Sequence, residues 1–353
     1  RFVGARRKKK ETLPRFFLRA RCNFLSEKRE KRSNVLTYVV FLCIVSWIQK
    51  SGRYIMADMA EEVRALKREK NAVVLAHYYA PEEAQAAADF VGDSFYLAKA
   101  AVQTDADTIV FCGVHFMGES AKILNPSRRV LMPDLAADCA MAHMAAEEQI
   151  EKLRAEIKDL AVVCYINSTA KIKSLSDVCV TSSNAVKIVR ALPERNILFI
   201  PDQNLGGFVA KQVPEKNFYY SGGYCPVHAV LLAEDVLGEK RAHPAARVLT
   251  HPECTESVRA VSDYIGSTAE IIAYAEKSGA EEFIVCTEPG VLYELRARCP
   301  GKKFYPAAPE CLDMKRNTLA GIKECLLRGC GEVVMDEAEM KGAERPLRRM
   351  LEL

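Results

Sequence analysis

Short, continuous apolar runs alternate with longer stretches of mixed polarity from about residue 70 onward, and the alternation occurs three times. The runs VVLA, AVVCYI and ARVLT are unbroken rather than period-two, as in strands covered on both faces. A second set, TIVFCG, NILFIP and EFIVCT, aligns at Ile109, Ile197 and Phe283, at intervals of 88 and 86 residues. A third set, RRVLMP, KNFYYS and KKFYPA, closes each copy. With helical stretches between them, these runs predict βαβ units, each carrying a parallel sheet with three strands. A period this long marks a repeated domain, since ordinary solenoid units are shorter.

The polar positions repeat with the apolar ones. His77, Tyr165 and His251 end the first strand of each copy, and a hydroxyl follows 17 residues later at Ser94, Ser182 and Thr268, where the pattern predicts a helix to open. Each copy then reaches one cysteine in a loop, Cys139, Cys225 or Cys311, at two equal intervals of 86 residues. The expected fold is α/β: three homologous three-layer α/β/α domains with small parallel sheets, arranged around a pseudo-threefold axis. The repeats are placed at residues 56–158, 159–244 and 245–330, with a C-terminal helical tail over 331–353 packing back. The segments 145–160 and 231–244 read as helical linkers, and DMKRNTLAGIKECLLRGC as a single helix after Cys311.

Charge separates the first 55 residues from the rest. They hold 15 Lys/Arg against 3 Glu, or +12, so a chain of net +4 leaves −8 for residues 56–353. An acidic core lacks the basic footprint of a nucleic-acid binder. The leader's apolar run, Val35 to Ile48, has 14 residues, short of the roughly 20 that span a bilayer. Residues 1–55 therefore read as upstream sequence outside the native fold, with Met56 or Met59 as the true start; an Arg-rich, acid-poor targeting peptide is the alternative. No membrane association is expected.

The 13 cysteines include no C-x-x-C pair, unlike a disulfide scaffold, and point to a reducing compartment, the cytoplasm. Cys112, Cys164 and Cys286 lie inside apolar strand runs and read as core; Cys325 and Cys330 on the last helix read likewise. Cys139, Cys225 and Cys311 differ because each follows a strand at one place in its repeat. Three thiolates brought to one axis suit an iron–sulfur cluster with one iron lacking a protein ligand. Structural zinc prefers four protein ligands, typically in close sequence pairs. Core packing remains the competing explanation at this point.

The hydroxyls have a simpler role open to them as helix caps, and STAE over 267–270 is a capping box. Three helix N-termini around one centre would also attract anions, giving a cationic, dipole-lined pocket. His77, His228 and His251 are placed near the cysteines as donors to substrate carboxylates. Glu253 is the one carboxylate expected at the polar loops, with Tyr79 and Tyr165 completing an acid/base set. Cys254 has packing as its default role.

Taken together, AHYY, GDS, GVHFMGESAKIL, YINST, TSSNAV, YCPVH, HPECTESV and GSTAE resemble the quinolinate synthase family, the A-type enzymes of NAD biosynthesis, over residues 60–350. The resemblance implies a [4Fe–4S] cluster on Cys139, Cys225 and Cys311. It implies condensation of iminoaspartate, delivered by an aspartate-oxidising enzyme, with dihydroxyacetone phosphate. His77, Ser94, Tyr165, Asn167, Ser182, His228, His251, Glu253 and Thr268 are then expected to bind substrate, with Tyr79, Tyr165 and Glu253 catalytic and the open iron a Lewis acid. Longer members carry the third ligand in a C-x-x-C-x-x-C run, whereas PECLDMK keeps only Cys311, so a thiol–disulfide switch is not supported. An aconitase-type hydro-lyase and a non-catalytic iron–sulfur sensor remain as alternatives.

Overall fold

The computed structural model describes residues 56–353; the leader discussed above lies outside the described residues. A helix over 56–69 buries Val63 and leads into strand β1 (Ala72–His77), followed by β2 (Phe90–Gly92), β3 (Thr108–Cys112) and β4 (Arg129–Leu131). The second sheet holds β5 (Leu160–Tyr165), β6 (Val178–Val180), β7 (Asn196–Ile200) and β8 (Asn217–Tyr220). The third holds β9 (Arg247–Thr250), β10 (Tyr264–Ile265), β11 (Glu282–Cys286) and β12 (Lys303–Pro306). All three sheets are parallel and share one strand order, β2-β1-β3-β4 and its equivalents. The fold is α/β, with three small parallel four-stranded sheets.

Each sheet therefore has four strands where the apolar pattern predicts three. The extra strands β2, β6 and β10 span only two or three residues, too few to form an apolar run. Their sequence mark is polar. Asp89, Asp177 and Asp263 stand just before them, and each carboxylate accepts a first-strand backbone N–H, from Val74, Val162 and Val248, at 2.8, 2.8 and 2.7 Å. The pairing that so short an edge cannot supply comes from a side chain.

The unbroken runs are divided between two faces, because successive strand residues point opposite ways. Val73, Leu75, Ile109 and Phe111 enter the main core, whereas Val74, Ala76, Val110 and Cys112 pack beneath Leu319, Ile322, Cys325 and Leu326. The latter four lie on the helix Leu319–Arg328, so the helix assigned by sequence with residues 245–330 covers the first sheet. The helices Glu147–Glu156 and Ala233–Ala242 likewise follow a cysteine loop and pack on the next sheet, against β5 and β11. Every repeat thus caps its successor, and the third returns to the first.

The segment after Cys311 is divided, not one helix: a short turn of 3₁₀ helix at Met314–Arg316 precedes Leu319–Arg328, which ends at Gly329 with φ +65°. Only glycine adopts that left-handed cap without strain. Cys330 lies beyond it and is exposed. The final helix, Glu337–Glu352, packs on Ala170–Ser174 and β6.

Candidate active site

In each sheet the chain steps outward in opposite directions from the first strand and its partner, so the crevice at their carboxyl ends is the topological switch point where ligands collect. His77 ends β1, Tyr165 ends β5 and His251 follows β9. One cavity of about 390 Å³ is lined by His77, Tyr79, Ser94, Cys139, Tyr165, Asn167, Ser182, Cys225, His228, His251, Glu253, Thr268 and Cys311. Every site residue predicted from sequence borders it.

The hydroxyls are placed differently from the expected caps. Asp93 and Ser267 are the caps of helices Ser94–Gln103 and Thr268–Lys277, accepting from Tyr96 N and Glu270 N. Ser94 and Thr268 are the first helical residues, with their side chains on the cavity. The second copy departs further: its helix opens at Ala185, not Ser182, behind a turn in which Asn184 Oδ1 accepts from Thr181 N at 2.7 Å.

Backbone contacts fix the histidine tautomers. Tyr79 N–H donates to His77 Nδ1 (3.1 Å) and Glu253 N–H donates to His251 Nδ1 (3.3 Å), so in both rings the proton sits on Nε2. His251 Nε2 meets Ser182 Oγ at 3.2 Å, across the boundary between two repeats. Burial keeps both imidazoles neutral, lowering His77 to about 3 and His251 to about 4. They are neutral hydrogen-bond donors.

Glu253 is the charged centre. Tyr165 Oη donates to Oε1 at 2.7 Å, and His228 Nδ1 stands 2.8 Å from Oε2. Burial opposes its ionisation, but His228, His251 and the Tyr165 hydroxyl outweigh that cost and hold the carboxyl down at about 2. Tyr79 and Tyr165 are pushed well above the ordinary phenol range, chiefly by burial and then by the Glu253 charge, so both keep their protons. Tyr79 rests on the third repeat. Lys315 Nζ donates to its carbonyl at 2.8 Å, and a Cβ on Gly290 would meet its Cα at 2.7 Å, so only glycine fits there.

Among the described cysteines, Cys139, Cys225 and Cys311 alone are half-buried; Cys330 is exposed and the others are buried. Burial, then the Glu253 charge, push Cys139 up to about 12, with Cys311 contributing. Cys225 is raised by burial, Glu253 and then Cys139, which places Cys139 within electrostatic reach of both other sulfurs. Backbone N–H groups of the following turn face each sulfur: Met141 and Ala142 for Cys139, His228 for Cys225, Met314 and Asp313 for Cys311. Soft sulfur donors cradled by N–H groups fit a thiophilic metal centre, since only a bound cation would make all three thiolates at neutral pH. Cys225, His228 and Glu253 also bring ligand atoms within 4.8 Å of one another, a second grouping able to hold a metal ion.

Two features depart from the sequence reading. Among the described residues no Lys or Arg lines the cavity, while Asp93, Asp138, Glu288, Glu310 and Asp313 do, so the expected cationic character is not carried by their side chains. Glu253 is also not the sole carboxylate. Glu288, buried beside Thr287, accepts from Cys311 N at 3.2 Å and pairs with Lys315 at 2.7 Å, tying the third cysteine loop to the end of β11. The signal for both residues was the polar TEP after EFIVC, at positions held by Gly113–Val114 and Pro201–Asp202 in the other copies.

Fold and cavity together define a triplicated α/β protein whose three sheets offer their switch points, and one half-buried thiol each, to one small-molecule site. The family model described as "NadA: Quinolinate synthetase A protein" matches residues 61–352. Curated relatives called quinolinate synthase include one from Caldicellulosiruptor saccharolyticus, 50% identical over 294 residues, covering 83% of this chain and 97% of the relative. Those of Fusobacterium nucleatum and Clostridioides difficile are 49% and 46% identical over 84% of this chain, covering 99% and 98% of their own lengths. The chain belongs to the quinolinate synthetase A family.

Proposed function

We propose that the protein makes quinolinate for NAD biosynthesis by condensing iminoaspartate with dihydroxyacetone phosphate, releasing one phosphate and two waters. The observation that carries this reading is the convergence of all thirteen expected side chains on one cavity. A dianionic substrate is recognised there by neutral donors: the Nε2–H of His77 and His251, the hydroxyls of Ser94 and Ser182, and the N-termini of helices Ser94–Gln103 and Thr268–Lys277. Asn167 Oδ1, buried without a protein partner, is an acceptor for the substrate nitrogen's N–H. Tyr79 and Glu253 move protons between substrate atoms during isomerisation and dehydration, with Tyr165 holding Glu253 ionised.

Cys139, Cys225 and Cys311 are the residues to hold a [4Fe–4S] cluster, which when bound supplies a Lewis-acidic iron. Free thiols at every described cysteine accord with a reducing compartment, the cytoplasm. Among the described residues no helix is long and apolar enough to cross a membrane. Anaerobic incubation of cluster-loaded protein with iminoaspartate and dihydroxyacetone phosphate is expected to yield quinolinate and inorganic phosphate in equal amounts. Hydration or dehydration of hydroxy acids without quinolinate would instead indicate a hydro-lyase of the aconitase type.

A further inference from the structure

Eight positions past the strand-end residue, every repeat has a buried polar side chain: Gln85, Lys173 and Arg259, at the intervals of 88 and 86 residues that relate the strands. Each lies on the short helix after the strand-end loop, Glu82–Ala87, Ala170–Ser174 or Glu256–Ala260, and none lines the cavity. Burying an ammonium or a guanidinium is costly unless the charge is hydrogen-bonded. The bonds of Lys173 and Arg259 go to backbone carbonyls and one serine hydroxyl.

The acceptors are equivalent as well. Gln85 Nε2 donates to Tyr78 O (2.9 Å) and Ala80 O (2.8 Å) of its own loop and to Gly290 O (3.0 Å) of the third repeat. Lys173 Nζ donates to Ser168 O (2.7 Å) of its own loop and to Phe116 O (3.4 Å) and Ser120 Oγ (3.0 Å) of the first repeat. Arg259 Nη1 donates to Pro252 O (2.8 Å) and Cys254 O (2.5 Å) of its own loop and to Asn204 O (2.9 Å) of the second repeat. Ala80, Ser168 and Cys254 share one place in the triplication. Gly290, Phe116 and Asn204 share another, the second residue of the helical segment that follows the partner strand. Three staples therefore run in one sense round the molecule, each joining a strand-end loop to the repeat before it.

The residue just before each gripped carbonyl at Ala80, Ser168 and Cys254 is Tyr79, Asn167 or Glu253. We propose that Gln85, Lys173 and Arg259 are one set of positioning residues that fix Tyr79, Asn167 and Glu253 relative to one another, an inference that rests on the quinolinate-forming reading above. Those three side chains come from three repeats and act on one substrate, so their mutual distances depend on how each loop seats across a repeat boundary. The approach is closest at Gly290, where an added Cβ would meet Tyr79 Cα at 2.7 Å, and there the donor is the short amide of Gln85. No proton moves through a staple; each acts through the residue it holds. Because the held residues differ in role, loss of equivalent staples has different kinetic consequences. Tyr79 and Glu253 move protons, whereas Asn167 accepts from the substrate nitrogen.

The test uses cluster-loaded protein with Gln85→Met and Lys173→Met, each near-isosteric and without a donor. Q85M is expected to lower kcat about 10- to 100-fold, the scale of a small misplacement of an acid–base group, with KM for both substrates within about 3-fold of wild type. K173M is expected to raise KM for iminoaspartate about 10-fold, with kcat and the KM for dihydroxyacetone phosphate within about 3-fold. Both should retain the visible cluster absorption, since neither staple holds a cysteine that binds the cluster. Exchanging donors between copies supplies the rescue: Lys173→Gln and Arg259→Lys place another repeat's residue at the equivalent point and should stay within about 3-fold of wild type, whereas Arg259→Met loses kcat as Q85M does. The double variant E253Q/R259M should be no slower than E253Q alone, because that staple acts through the carboxylate. Wild-type kinetics in Q85M and K173M, a common loss of kcat in both, exchange variants no better than methionine, or additive losses in the double variant would overturn the assignment. A methionine variant that loses the absorption is replaced by alanine at that position, which leaves room for water to bond the freed carbonyls, and the same contrast between kcat and KM is read. Failure of the wild-type protein to form quinolinate would remove the functional reading, whereas a quinolinate-forming wild type with the wrong kinetic contrast removes the staples alone.

Discussion

The first and third repeats share strand order, pairing register and a strand-end histidine, yet they bring opposite chemistry to the cavity. Two residues past His77 stands Tyr79, a weak acid; two past Tyr165 stands Asn167; two past His251 stands Glu253, the buried anion. At the end of the partner strand the first copy has Gly113 and Val114, while the third has Thr287 and Glu288. A triplicated backbone fixes three equivalent points around one space, and substitution at those points makes the space asymmetric. Asymmetry is what a site needs to tell the two ends of a substrate apart. Of the equivalent positions named at the cavity, only the cysteine is the same in every copy.

The largest expected effect tests that last symmetry. Changing any one of Cys139, Cys225 or Cys311 to Ala should abolish the broad absorption near about 400 nm of anaerobically reconstituted protein, to the same extent in each case, whereas Cys286→Ala should leave it intact. Colour that survives in one of the three would show the repeats to be unequal at the metal as well. Next comes the third copy's charge. Glu253→Gln should keep the absorption and reduce kcat about 10²- to 10⁴-fold. Unchanged turnover would place the acid–base chemistry outside the third repeat.

The smallest effect probes the first copy through pH. His77 is buried and neutral, with its pKa lowered to about 3, so below about 6.5 the unfolded chain binds a proton that the folded one refuses. Its contribution is complete above the unfolded pKa, and stability is lost as pH falls from there toward the folded value. Urea unfolding of His77→Gln between pH 6 and 4.5 should therefore lose stability less steeply than wild type, by up to about 1.4 kcal/mol per pH unit. Coincident slopes would mean that His77 takes up its proton in the folded protein.

Much of the site was legible because it lies at strand ends. A continuous apolar run of four to six residues announces a strand covered on both faces, and the polar residue that closes it must stand at the carboxyl edge, where ligands bind. His77, Tyr165, His251 and their companions were found in that way. The edge strands β2, β6 and β10 were not, because two or three residues hold no periodicity; Asp89, Asp177 and Asp263 were the only trace. Ser182 was read as opening a helix because Ser94 and Thr268 do, but Asn184 ties its turn and delays the helix to Ala185. The acidic lining escaped notice because Asp138, Glu310 and Asp313 sit in cysteine loops that are polar in any fold.

The sequence by itself determined the triplication, the register that puts equivalent residues at equivalent strand ends, and the separation of three loop cysteines from those in the core. These follow from local patterning, since side-chain direction along a strand is set within a few residues. Tertiary structure alone decided that Leu319–Arg328 closes the ring on the first sheet, that Glu253 is held ionised by Tyr165 and His228, and that Thr287 meets Tyr79 across 208 residues of chain. Such meetings depend on how whole sheets pack. No local period records which loop will face which.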